Sequence, residues 1–203
     1  MHLSIRRYEG AGGKIKEIAR RVQGLVPLLR SQPGFVAYYN FASEQGDAVS
    51  IRIFDDLQSA DTADEQTREW TLAHMRDLLP NPPDILAGEV RHQTVGTRAS
   101  FGQPFVLIRV MDGITAPAEE MAPQVQQHSL TAIKSAPGLQ AAYILRDERD
   151  QRRAATVTLF DTHEHAMAAH DRAVSIMRET MAVTIPNPPR VVALGQIVIM
   201  AFV

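Results

Sequence analysis

The block Pro80-Asn81-Pro82-Pro83 returns as Pro186-Asn187-Pro188-Pro189, and no other feature constrains the fold as much. Proline lacks an N–H donor and restricts the residue before it, so each block reads as a helix stop ahead of a new strand. A stop used twice implies a structural unit used twice. The remaining sequence agrees: Ile5-Arg6 with Glu9-Gly10 matches Ile108-Arg109 with Asp112-Gly113 at an offset of 103. Pro33-Gly34 and Tyr39 match Pro137-Gly138 and Tyr143 at 104, and Phe54-Asp55, Ala60, Ala63 and Met75 match Phe160-Asp161, Ala166, Ala169 and Met181 at 106. A period of about half the chain is domain duplication, far longer than the roughly 20 to 50 residues of a solenoid repeat.

The periodicity within each copy assigns its elements. In the first copy, Leu3 to Tyr8 alternates like a strand, and Lys14 to Leu29 carries the helical stripe Ile15, Ile18, Val22, Leu25 and Leu29. Pro33-Gly34 breaks the chain before a hairpin of strands Phe35 to Phe41 and Val49 to Phe54, turned at Gln45-Gly46-Asp47. A second helix over Leu57 to Leu79 presents Ala60, Ala63, Thr67, Trp70, His74 and Leu78 on one face, and a strand over Ile85 to Val95 follows. The second copy repeats this order with strands at Phe105–Met111, Leu139–Leu145, Ala154–Phe160 and Val191–Phe202, and helices at Ala118–Lys134 and Glu164–Thr184. Each half is thus β-α-β-β-α-β, giving domains at 1–95 and 104–203 joined by a linker at 96–103. A four-stranded sheet with both helices on one face leaves the other face to be covered. The second copy is the natural cover, so the expected architecture is α+β: two ferredoxin-like repeats closing an intrachain, pseudo-dimeric α/β barrel. Such a chain is expected to be a monomer, with a homodimer through the outer edges as the alternative.

Composition narrows the partners. With 21 basic and 23 acidic residues and a net charge of −2, and with no basic stripe interleaved with aromatics, nucleic acid is not an expected partner. The absence of cysteine excludes disulfides, thiolate metal sites and cysteine nucleophiles. No apolar run approaches the roughly 20 residues of a membrane span, and the opening residues lack a basic region followed by an apolar one. A soluble, cytoplasmic protein with a small-molecule ligand is the expectation. His163, His165 and His170 do not form a convergent ligand set on a helix, so no metal site is expected. Gly10, Gly12 and Gly13 lack the residues of a phosphate-binding loop, so no nucleotide cofactor is expected.

Pro33-Gly34-Phe35, Tyr39, the Phe54-Asp55 to Ala60 strand-to-helix step, Trp70 and Gly88-Glu89-Val90 resemble the antibiotic biosynthesis monooxygenase-like group of the dimeric α/β barrel superfamily. The second copy shows Pro137-Gly138-Leu139, Tyr143, Phe160-Asp161 to Ala166 and Gly195-Gln196-Ile197 in the same places. The resemblance implies a cleft between helices and sheet that holds a small aromatic molecule. It also implies an oxygenase that uses no cofactor, with related haem-degrading enzymes as a further reading. In such enzymes an Asn lies four residues before a Trp; here Gln66 stands before Trp70, and the second copy has Arg172 and Ile176 instead. This points to the first copy as the active one and to the second as scaffold.

His74 follows Trp70 by one helical turn, so Gln66, Trp70 and His74 form one stripe. In the catalytic reading His74 takes a phenolic proton, Gln66 holds oxygen and Trp70 walls the cleft. The competing reading is an amphipathic helix with a packed Trp and a hydrogen-bonded His, in a barrel that binds without catalysis. Tyr39, Arg6 and Arg91 are the candidate substrate contacts. Arg6 and its counterpart Arg109 could meet a ligand carboxylate, or serve as rim or ion-pair residues.

Overall fold

The computed structural model of the chain describes residues 1–95 and 102–203. The first half contains β1 (His2–Tyr8), α1 (Ile15–Val22), α2 (Leu25–Arg30), β2 (Phe35–Ala42), β3 (Ala48–Phe54), α3 (Leu57–Met75) and β4 (Asp84–Val95). The second contains β5 (Phe105–Met111), α4 (Ala118–Gln124), α5 (Thr131–Lys134), β6 (Leu139–Arg146), β7 (Ala154–Phe160), α6 (His163–Thr180) and β8 (Arg190–Phe202). A 3-10 turn at Gly12–Lys14 precedes α1, and a π-helical turn at Val125–Leu130 joins α4 to α5. The expected linker lies outside the described residues except for Gly102 and Gln103.

The doubled β-α-β-β-α-β order is therefore present, and the strands follow one another as β1-β3-β2-β8-β5-β7-β6-β4 in a closed barrel. Equivalent positions share the same register. Arg6 stands opposite Ser50 as Arg109 stands opposite Thr156, and Tyr38 opposite Arg52 as Ala142 stands opposite Thr158. The long helices start alike: the Asp56 side chain accepts from Ser59 N at 2.7 Å, and the Thr162 hydroxyl accepts from His165 N at 3.1 Å. The repeated Pro-Gly pairs have a common cause. Gly34 and Gly138 take φ values of 70° and 69°, and a Cβ on Gly138 would collide with the Asp161 carboxylate.

Three boundaries differ from the sequence expectation. The helix expected over Lys14 to Leu29 is two helices separated at Gly24, because the apolar stripe continues through a break that periodicity does not register. The second helices end at Met75 and Thr180, so each Pro-Asn-Pro-Pro block lies in the connection to the next strand. The fourth strands are longer than the others, and the chain's compact units divide along them. One unit comprises 1–89 and 195–203, the other 90–194. Hence the last residues of β4 pair with β6, and the last residues of β8 pair with β2.

In the first unit, helices and sheet enclose a continuous apolar cluster that includes Ile18, Val22, Leu29, Tyr38, Phe54 and Met75. The second unit has two clusters in its place. One is built on Met111, Met121, Met177 and Met181, the other on Leu107, Leu139 and Phe160. Among the described residues no helix is long and apolar enough to cross a membrane.

Candidate functional site

Strands β1 and β5 carry equivalent arginines, Arg6 partly buried and Arg109 buried, and the two units treat them differently. In the first, Arg6 forms an ion pair with Asp64 on α3. Asp64 also accepts from Arg52 Nη1 at 2.7 Å, and the same nitrogen donates to Thr67 Oγ1 at 3.0 Å. Burial, and then the neighbouring Arg52 charge, lower the Arg6 pKa, and Asp64 opposes both effects. Tyr38 lies fully buried in the same layer, with its phenol pKa raised by loss of solvent. The space left beside this network is a cavity of about 20 Å³, room for little more than one water.

The second unit replaces every partner in that network. Ala142 stands for Tyr38 and Thr158 for Arg52, as the strand register shows. Counted from the N-caps Asp56 and Thr162, His170 stands for Asp64 and Ala173 for Thr67. Arg109 keeps its place and is 2% exposed. Its Nε donates to Thr156 Oγ1 at 3.0 Å and its Nη1 to the Ala169 carbonyl at 3.2 Å. Among the described residues no carboxylate pairs with it. Burial alone brings its pKa down to about 10, so it remains a cation at neutral pH. His170 has a buried Nδ1 with no hydrogen-bond partner, and burial followed by the Arg109 charge lowers its pKa.

A cavity of about 100 Å³ lies beside Arg109, and of these replacements Ala173 is on its wall. Its walls come from both apolar clusters of the unit and include Met111, Met121, Met177 and Met181, whose flexible thioethers adapt to a ligand's shape. Val125 and Ser129 reach it from the π-helical turn that follows Pro123 in α4. Such turns often occur at functional positions because they displace side chains from regular helical directions. The polar part of the lining has one sign. It contains Arg91, His92, Arg109, Arg146 and Arg172, and no Asp or Glu.

The sequence-derived candidates fall elsewhere, with one exception. Trp70 is partly buried and packs on the first unit's cluster, with its ring over Gly24, where an added Cβ would lie 3.2 Å from Trp70 Cζ2. His74 is exposed, stacks on Trp70 at 4.6 Å between centroids and hydrogen-bonds the Trp70 carbonyl at 2.8 Å. Gln66 is exposed. None of these three lines either cavity. Arg6 is held by Asp64, and Tyr39 is buried edge-on to Phe202. Arg91 alone among the six lines the large cavity. By contrast, the second-copy counterparts Arg172 and Ile176 both line it, so the half read as scaffold contains the larger cavity.

Arg109, His170 and the methionine wall carried no motif. Their signal was the difference between copies at matched positions: Tyr38 against Ala142, and Asp64 against His170. The helical histidines have separate surroundings, with His165 Nδ1 2.7 Å from Asp161 and His163 edge-on to Phe105. Among the described residues there is no group of three or more His, Asp or Glu able to hold a metal ion.

Fold and topology define an α+β chain in which a β-α-β-β-α-β unit occurs twice and the eight strands close a barrel. Solved structures share it over nearly the whole length. A proposed monooxygenase of Fusobacterium nucleatum superposes with a TM-score of 0.75 at 11% identity, covering 99% of this chain and 94% of that one. A proposed monooxygenase of Lactobacillus acidophilus gives 0.70 at 12% identity, covering 99% and 95%. An anthrone oxidase-like protein gives 0.59 at 15% identity, covering 99% and 93%. No family model and no curated protein matches the sequence.

Proposed function

We propose that the chain is a monooxygenase-like enzyme that holds a small aromatic substrate in the cavity of residues 90–194 and needs no bound redox cofactor. The observation that carries this reading is the cavity itself, about 100 Å³ with adaptable apolar walls and a few polar groups on its lining. The likeness to a protein named anthrone oxidase-like supports the choice of substrate class. In this reading His92, on the cavity wall, takes a proton from an activated CH₂ or phenol. The substrate anion then reduces O₂, and the resulting hydroperoxide loses water. One CH₂ and one O₂ become one C=O and one H₂O, with the electrons coming from the substrate. The protein supplies orientation, deprotonation and exclusion of solvent.

The test is oxygen uptake with a panel of anthrones and hydroquinones. The expected result is turnover above buffer that falls strongly in His92→Gln and persists in His74→Ala. Turnover that depends on His74 and Trp70 but not on His92 would return the chemistry to the first unit. Saturable binding without turnover would make the protein a non-catalytic small-molecule carrier, and a Soret band on haemin titration would favour haem handling.

A further inference from the structure

The two units hold the same strand arginine in different electrostatic states. Arg6 faces Asp64, whereas Arg109 has His170 at the position of that carboxylate. A guanidinium has five N–H donors, and Arg109 directs two of them to Thr156 and Ala169. An uncompensated buried cation is costly in a folded chain. It is tolerable where a ligand supplies the missing charge. The other charged side chains on the cavity wall, Arg91, Arg146 and Arg172, add positive charge and no carboxylate. A transient enolate formed during turnover would not compensate Arg109 between encounters with substrate, but a permanent anionic group would do so throughout the bound state.

We infer that the ligand of the second cavity is an apolar molecule bearing a carboxylate or comparable permanent anion, and that Arg109 anchors that group. The inference rests on the reading that this cavity is the ligand site. Arg109 is here a binding residue: it fixes one end of the ligand while the methionine wall takes the body. The first unit then represents the same site closed from within, with Asp64 occupying the charge position.

Isothermal titration with 2-naphthoate and its neutral isostere 2-naphthamide tests this at pH 7. A charge-assisted contact in a buried site predicts that naphthoate binds about tenfold tighter or more. Arg109→Met should bring the two dissociation constants together. So should His170→Asp, which places a carboxylate where the first unit has Asp64 and leaves the arginine intact. The second variant keeps the test decisive if the first fails to fold. Naphthamide binding as tightly as naphthoate to the unaltered protein would overturn the inference and leave the cavity reading standing. If neither compound binds, the cavity reading and the inference fail together. A charge preference that survives His170→Asp would also overturn it, because the anion would then be recognised elsewhere.

Discussion

Arg6 and Arg109 show how little a residue's identity says without its partner. Both occupy the same register on a first strand, yet one is neutralised by Asp64 and the other stands on hydrogen bonds alone. Two stability predictions separate them. Replacing an uncompensated buried charge with a hydrophobe of similar length relieves desolvation, so Arg109→Met should stabilise the folded chain by about 1–3 kcal/mol in urea titration. Asp64→Ala leaves Arg6 and Arg52 without their carboxylate. Because the Asp64 side chain is 39% exposed, water screens part of the loss, and destabilisation of about 2 kcal/mol is expected.

His170 adds a pH dependence of known sign. Its folded pKa lies below the ordinary 6.5, so between those two values the unfolded chain binds more protons than the folded one. Stability should fall as pH drops below 6.5, and His170→Gln should flatten that part of the curve in thermal melts at stepped pH. These features were legible only by comparison. Each copy alone offers an arginine among aliphatic residues; aligned, the copies exchange Asp64 for His170 and Tyr38 for Ala142.

At the scale of elements, strands were readable because alternation and turn residues bound them closely: β5 and β7 occupy the ranges that their patterns indicate. Helix ends were less readable. Apolar spacing continued through Gly24 and past Met75 because Val22 and Leu25 on either side of the exposed break, and Leu78 beyond the helix end, are buried. The Gln66, Trp70 and His74 stripe lies apart from both cavities. Ala60, Ala63, Thr67 and Met75 are the buried residues of α3, whereas Gln66 and His74 are exposed. Trp70 then reads as the residue that closes α3 over the α1–α2 break. Trp70→Ala should cost about 2–4 kcal/mol in chemical denaturation, less than the upper values for a fully buried Trp. Gly24→Ala should cost about 1 kcal/mol, because its Cβ would approach Trp70 at 3.2 Å and the Arg21 carbonyl at 3.3 Å.

At the scale of the whole molecule, the repeated proline block made the duplication evident, and the doubled β-α-β-β-α-β order follows from it. The division of contacts along β4 and β8 was not visible, since strand patterning gives length but not the neighbour that each part of a long strand selects. Duplication also explains why one unit could open while the other stayed filled. Once two copies exist, substitutions to Ala173 and Ile176, both on the cavity wall, can open one core while the other retains its packing. The central claim is that the ligand enters the second unit. Methyl resonances of ¹³C-methionine report on this directly, because Met111, Met121, Met177 and Met181 line the large cavity and Met75 lines the small one. Titration with 2-naphthoate is predicted to shift those four resonances and leave Met75 in place. A shift of Met75 with the other four unmoved would contradict the account.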